Sequence, residues 1–358
     1  MSISIGYVIS GHGFGHATRA IAVMQALQQC MDVRFIILTS VPPWLFHDSL
    51  TALHVVHAME TDIGLVQHSA LSEDLPATLK ALRGLYPLRE QHIDKAAVLL
   101  SGCHLVFSDI APLGIVAAKR ADIPSILVEN FTWDWIYAPF EQSTPGLAPL
   151  SHSIGELFLQ ADYHIQAKPI CNPGSCDLVV EPVARQLRTP EQVRLQMQCR
   201  PNQRLVLVTM GGIKGQLKNM MNLDALKDRD DTVFVLTGMS NKGEIQENLR
   251  LLAPDTSCYF PDLVASADLV VGKSGYSTVA EAYQGQTAYG YIKRPGFRES
   301  LVLESFLDRY LTSWEIKEHA LESGVWLNGL DQFDQPQKPT SQPENGAAQI
   351  ALFVHSLF

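Results

Sequence analysis

Short runs of β-branched and apolar residues alternate with longer segments of helical periodicity, and the series occurs twice, on either side of a break near residues 182–189. That alternation predicts parallel strands crossed by helices. In the first half, strands are expected at Ile3–Ser10, Val33–Thr39, Leu105–Ser108 and Ile126–Val128. Helices are expected at Ala17–Cys30, with Ala20, Ile21, Met24 and Leu27 on one face, and at Ile115–Arg120. In the second half, strands are expected at Leu205–Thr209, Thr232–Thr237, Leu269–Val271 and Thr287–Ile292. Strands this continuously apolar belong in sheets covered on both faces. The expected fold class is therefore α/β, with two Rossmann-like doubly wound domains facing a cleft, since such sheets bind ligands outside the carboxyl ends of their strands.

The chain of 358 residues accommodates two domains of ordinary size, read as 1–183 and 184–358. Thr189 is expected to cap a helix that begins at Pro190. The stretch from Asp334 to Asn345, with Pro336, Pro339 and Pro343, reads as a linker, and Ala347–Leu357 as a terminal helix. Linker and helix, 334–358, are counted with the second domain, although the helix could cross back to the first.

Lys and Arg number 27 against 37 Asp and Glu, a formal charge of −10, which argues against a nucleic-acid or anionic-membrane partner. No run of 18 apolar residues predicts a transmembrane segment, while peripheral membrane contact stays open. Met1 leads straight into the first strand without the features of a signal peptide, so a cytoplasmic protein is expected. Six cysteines without repeated CxxC spacing suggest buried thiols rather than disulfides or zinc.

Ser10-Gly11-His12-Gly13-Phe14-Gly15-His16-Ala17-Thr18-Arg19 joins the first strand to the first helix. A dinucleotide fingerprint starting at Gly11 would need glycine where His16 stands, which weakens a nicotinamide reading. Glycines allow the tight turn and expose the helix start. His12 or His16 could then deprotonate an acceptor hydroxyl, although an isolated histidine would more simply bond the backbone. Gly13 and Gly15 keep the two histidines off a common helix, so no metal site is expected. Asp109, at the end of another strand, could orient a catalytic histidine or simply act as a loop carboxylate. The cluster Asn130, Trp133, Asp134, Trp135 and Tyr137 suits either a sugar acceptor or ordinary core packing.

In the second half, Gly211-Gly212 follows a strand and could present backbone N–H groups to a diphosphate. Gly272-Lys273-Ser274-Gly275 ends the strand at 269–271, and a helix follows through Tyr276, Ser277 and Thr278, a start that favours an anion. Glu281, one turn in, could bond ribose hydroxyls or merely lend a favourable charge to the helix start. Lys273 precedes this turn, so it is not a P-loop. Arg294, Arg298 and Glu299 follow the last strand, where they could touch donor sugar or phosphate, or be solvated loop charges.

Together these motifs resemble the GT-B superfamily of nucleotide-sugar glycosyltransferases. Gly11–Arg19, Ser108-Asp109 and Asn130–Asp134 closely resemble the glycosyltransferase-like N-terminal half of plant arabinokinases and its free-standing bacterial relatives. The resemblance extends to about residue 310 and does not imply arabinose phosphorylation. It implies that His16 is the general base, that Asp109 orients it, that Gly211-Gly212 meets the diphosphate, and that Ser277, Thr278 and Glu281 lie in the segment whose Glu holds the ribose. The implied activity is transfer of a sugar from a nucleoside diphosphate donor, UDP-sugar by resemblance, to an unidentified hydroxyl acceptor, with inversion and without a metal. No bound cofactor is implied beyond that co-substrate. A non-catalytic sugar-nucleotide sensor and a nucleotide-sugar epimerase are the alternatives. Arg19 stands where relatives usually carry proline.

Overall fold

A computed structural model of the chain describes residues 2–69, 72–211, 221–240, 242–253, 256, 258–332 and 342–358. The chain forms two compact units, one comprising residues 1–68, 73–185 and 345–358, the other residues 69–72 and 186–344.

The first unit is built on a seven-stranded sheet. Its strands are β1 (Ile3–Ile9), β2 (Val33–Thr39), β3 (His54–Ala58), β6 (Leu105–Asp109), β7 (Ser125–Glu129), β8 (Tyr163–Ala167) and β9 (Leu178–Val180). Gln67–Ser69 (β4) and Ser72–Glu73 (β5) form a separate two-stranded piece. The sheet order is β3-β2-β1-β6-β7-β8-β9, parallel throughout, so the chain reverses its direction of travel between β1 and β6. That reversal leaves the carboxyl ends of β1 and β6 side by side, Ile9 opposite Asp109. Adjacent strand ends at such a switch point are where doubly wound sheets gather ligand-binding residues.

The second unit repeats the plan. Its strands are β10 (Arg204–Thr209), β11 (Thr232–Thr237), β12 (Glu244–Gln246), β13 (Leu249–Leu252), β14 (Leu269–Lys273), β15 (Ala288–Ile292) and β16 (Ser313–Glu315). The order is β12-β13-β11-β10-β14-β15-β16, parallel except for the β12–β13 edge pair. Its switch point lies between β10 and β14, where Thr209 pairs with Gly272. A Cβ at Gly272 would lie 1.9 Å from the Thr209 carbonyl oxygen, so only glycine permits this register. Burial of β10, β11, β14 and β15 is almost complete, as their unbroken apolar sequences predict.

Three expectations are corrected. The terminal helix, Gly346–His355, belongs to the first unit and not to the second. Asn345 caps it at the Ala347 N–H (2.9 Å) and bonds the Ala184 carbonyl (2.8 Å), while Ala347, Ile350, Ala351 and Val354 are buried. This helix packs on the first helix, Gly15–Cys30, which explains why that helix is buried on nearly every side from His16 to Leu27. Thr189 precedes the Pro190–Gln196 helix but its hydroxyl makes no cap. The Arg188 and Thr189 N–H groups instead donate to the Asp262 carboxylate at 2.7 and 2.8 Å. All six cysteines are unpaired, yet only Cys103 is buried. Most of the Pro-rich segment from Asp334 lies outside the described residues. Among the described residues no helix is long and apolar enough to cross a membrane.

A Cβ at Gly346 would lie 2.0 Å from the Glu181 carbonyl oxygen and 3.0 Å from Val183 Cγ2, whereas one at Gly84, an exposed helical glycine, would meet nothing within 4 Å. Gly346→Ala should therefore cost the first unit about 1–3 kcal/mol. Gly84→Ala should stabilise it by about 0.5 kcal/mol. Urea midpoints check both signs, and equal effects would contradict this docking of the terminal helix.

Candidate active site

β1 ends at Ile9, and Gly11 must pass so close to Ser40 that a Cβ there would lie 2.0 Å from its hydroxyl oxygen. The chain then turns through Gly13, whose φ of +71° lies in the left-handed region, and the first helix starts at Gly15. His16 thus stands in the first helical turn, and His12 in the loop before it.

His16 Nδ1 lies 3.1 Å from Asp109 Oδ1 at the end of β6, with both residues buried. The carboxylate can only accept, so Nδ1 carries a hydrogen, and in the neutral ring the lone pair is then on Nε2. Arg19 follows His16 by three residues and shares its helix face. Only 1% exposed, it donates from Nε to Asp109 Oδ2 (2.9 Å), from Nη2 to Asp109 Oδ1 (2.6 Å) and from Nη1 to Asn130 Oδ1 (2.6 Å). Its Nη2 also sits 3.3 Å from His16 Nδ1, two donors held together by the carboxylate they share. Burial alone would raise the Asp109 carboxyl, but the Arg19 charge and the bonds from His16 and Arg19 overturn that and hold it below the usual carboxylate range.

His12 is placed differently. Its ring meets the edge of Trp133 at 5.2 Å, and a Cβ on Gly64 would approach that ring to 2.7 Å. Trp133 Nε1 donates to Asp62 Oδ2 at 2.6 Å, while Asp62 Oδ1 accepts the Gly11 N–H at 3.2 Å. Burial pushes the Asp62 carboxyl up, against these bonds and the bond from Ser10. Asn130, Trp133 and Tyr137 are buried, so these three support the loop as packing instead of forming an open sugar platform.

In the second unit, Gly211 follows β10 with φ of +74°. Gly212, the other half of the expected diphosphate loop, lies outside the described residues. Gly275 stands at the N-cap of the Tyr276–Gly285 helix, where it supplies no side-chain cap. Tyr276, Thr278 and Glu281 are buried and Ser277 is half-buried. Arg294 and Glu299 are each 5% exposed, which removes the reading of both as solvated loop charges; Arg298 between them is exposed. Arg294 stacks its guanidinium 4.2 Å above the Phe297 ring.

The structure thus gathers His16 and Asp109 in one network in the first unit, and the Trp133 ring lies against both His12 (5.2 Å) and His16 (6.0 Å). In the second unit, Gly211 follows β10, Gly275, Tyr276, Ser277, Thr278 and Glu281 cluster at one helix start, and Arg294 and Glu299 follow β15. Sequence reasoning noticed Arg19 only as a replaced proline; its spacing of three from His16 was the available signal. Asp62 lies in no motif, and nothing in its sequence neighbourhood points to it.

A buried ion pair loses most when one partner is left alone. Arg19→Met and Asp109→Asn should each destabilise the first unit by about 3–5 kcal/mol, and the double variant by much less than their sum. A urea-unfolding double-mutant cycle measures this. Additive losses would mean that the two side chains do not act as a pair.

No family model matches the sequence. The chain is 28% identical over 338 residues to L-arabinokinase of Arabidopsis thaliana, a match that covers 91% of this chain and 31% of the relative. It thus spans about a third of that protein's length. Among solved structures, it is similar to the glycosyltransferase SnogD from Streptomyces nogalater (TM-score 0.59, 16% identity, 100% of both chains). It is also similar to Arabidopsis thaliana UGT89C1 complexed with UDP-L-rhamnose (TM-score 0.61, 11% identity, 99% of this chain and 93% of that one). The two parallel-sheet units and these likenesses make the chain an α/β protein with the GT-B fold of nucleotide-sugar glycosyltransferases.

Proposed function

We propose that the protein transfers a sugar from a nucleoside diphosphate donor, UDP-sugar in the first instance, to a hydroxyl acceptor with inversion and without a metal. The observation that carries this reading is the 3.1 Å approach of His16 Nδ1 to Asp109, which leaves Nε2 as a base in a GT-B fold. Nε2 takes the acceptor's hydroxyl proton as the acceptor oxygen bonds to the anomeric carbon. The bond from that carbon to the donor phosphate breaks, and its electron pair leaves with the diphosphate. Backbone N–H groups at Gly211 and at the start of the Tyr276–Gly285 helix stabilise that charge, and Glu281 holds the ribose. His12, whose ring lies against Trp133, is the second candidate base in the same loop.

One observation favours a second reading. Arg19 already engages both Asp109 oxygens, and a carboxylate neutralised in this way stabilises a nearby imidazolium less than a free one. This suits a sugar-nucleotide sensor, which binds donor without turning it over.

A ligand that binds only the folded state raises stability by RT ln(1 + [L]/Kd), about 2.7 kcal/mol at a hundredfold excess over Kd. Thermal shifts with UDP, GDP, ADP and dTDP should single out one diphosphate, and Glu281→Ala should abolish its effect. His16→Ala should keep donor binding and lower turnover on an acceptor panel about 10²–10⁴-fold. Binding without transfer or slow donor hydrolysis in the wild type would select the sensor, and no stabilisation by any nucleotide would reject both readings.

A further inference from the structure

Lys273 is the last residue of β14 and pairs with Ile292 of β15. Its carbonyl is held by the Tyr289 hydroxyl at 2.9 Å, and its side chain reaches across to the end of β10. A Cβ on Gly211 would lie 3.3 Å from Lys273 Cε and 3.8 Å from Nζ, so the ammonium sits against the glycine that opens the loop after β10. Among the described residues, Nζ has neither a hydrogen bond nor an ion pair. The charged groups that act on it are Arg294, beyond β15, and Glu299, in the first turn of the Arg298–Tyr310 helix. Other charges nearby are engaged elsewhere. Glu304 faces the Ser274 hydroxyl at 3.4 Å, and Lys293 pairs with Glu315 at 2.8 Å.

With no bonded partner for Nζ among the described residues, Lys273 places a positive charge in a largely desolvated corner of a protein whose net charge is −10. Such an arrangement is costly unless an anion completes it. Gly211, beside the Lys273 side chain, and the helix start after Gly275, where glycine supplies no side-chain cap, add N–H groups suited to the same kind of ligand.

We propose that Lys273 and Arg294 form the cation pair that receives the diphosphate of the nucleotide, and that Lys273 Nζ takes up a proton as the diphosphate binds. This rests on the donor reading above. Burial, reinforced by Arg294 and opposed by Glu299, pushes the Lys273 ammonium down to about 8. In the empty site Nζ is thus charged below that pH and largely neutral above it. An arriving anion favours the charged form, so above pH 8 binding must draw a proton from solvent and affinity must fall as pH rises.

Calorimetric titration of the full chain with UDP at pH 7.2 and 8.7, each in two buffers of different ionisation enthalpy at constant ionic strength, reads the coupling directly. For a group titrating at about 8, uptake should rise from about 0.1 to about 0.8 proton per UDP while affinity falls about fivefold. Lys273→Arg should keep binding but abolish the extra uptake, because arginine stays charged throughout. Lys273→Met should weaken UDP more than tenfold at pH 7.2 while raising the melting temperature of the ligand-free protein, because it removes a desolvated charge. An unchanged UDP affinity in Lys273→Met, or equal uptake in wild type and Lys273→Arg, overturns the proposal. Inorganic phosphate is the second probe. UDP binding without proton uptake leaves the donor reading standing and removes this role for Lys273. Uptake with phosphate but not with UDP keeps the cation pair and removes the donor, and binding of neither overturns both.

Discussion

The Arg19 guanidinium, buried in the first helix, binds both oxygens of Asp109 and the side-chain oxygen of Asn130. Through these bonds one side chain ties the first helix to the end of β6 and to the residue after β7. Burying a guanidinium and a carboxylate is expensive, and it is offset only when geometry satisfies nearly every donor and acceptor. Here the paired N–H groups meet the carboxylate edge-on and a third reaches an amide. Asp109 therefore remains ionised at neutral pH, and its oxygens fix where His16 can place its ring. The orientation of the histidine is inherited from the ion pair.

The two units share one architecture and treat charge in opposite ways. In the first, Asp109 is saturated by Arg19 and His16, and Asp62 by Trp133 and Gly11. Both carboxylates are bound to the loops and strand ends that they hold in place. In the second, Lys273 makes no such bond among the described residues and faces a second cation. A closed network fixes geometry and stabilises the unit that contains it. An open one stores an unfavourable charge that a ligand can relieve, and regions organised for binding commonly give up stability in this way.

Much of this was legible because the fold announces itself through continuous apolar strands. Val33–Thr39 and Thr232–Thr237 stand where the sequence predicts them, and the others differ by one to three residues at their ends. The pairing of His16 with Asp109 is implied by the resemblance, and the geometry brings those atoms together. Arg19 escaped because polarity at a single helical position normally signals solvent, and only the approach of β6 shows that its face is inside. The terminal helix escaped for another reason. Its sequence carries an apolar face but no label for the surface that covers it, and the bonds from Asn345 to Ala184 span 161 residues. Lys273 does not fit a P-loop because it precedes its turn, yet its side chain reaches Gly211 from the end of β14.

The choice of lysine at 273 and arginine at 19 follows from what each cation must do. Arg19 has a permanent partner, so a planar fork that never loses its proton is the better group, and two carboxylate oxygens and an amide use that fork fully. Lys273 has no such partner among the described residues. An arginine there would hold a full charge beside Arg294 at every physiological pH whether or not a ligand were present, and the unit would carry that cost throughout. Lysine can release its proton while the corner is empty and regain it when an anion arrives. The penalty for an unpaired charge is then limited by deprotonation, and the ammonium is restored when the ligand needs it.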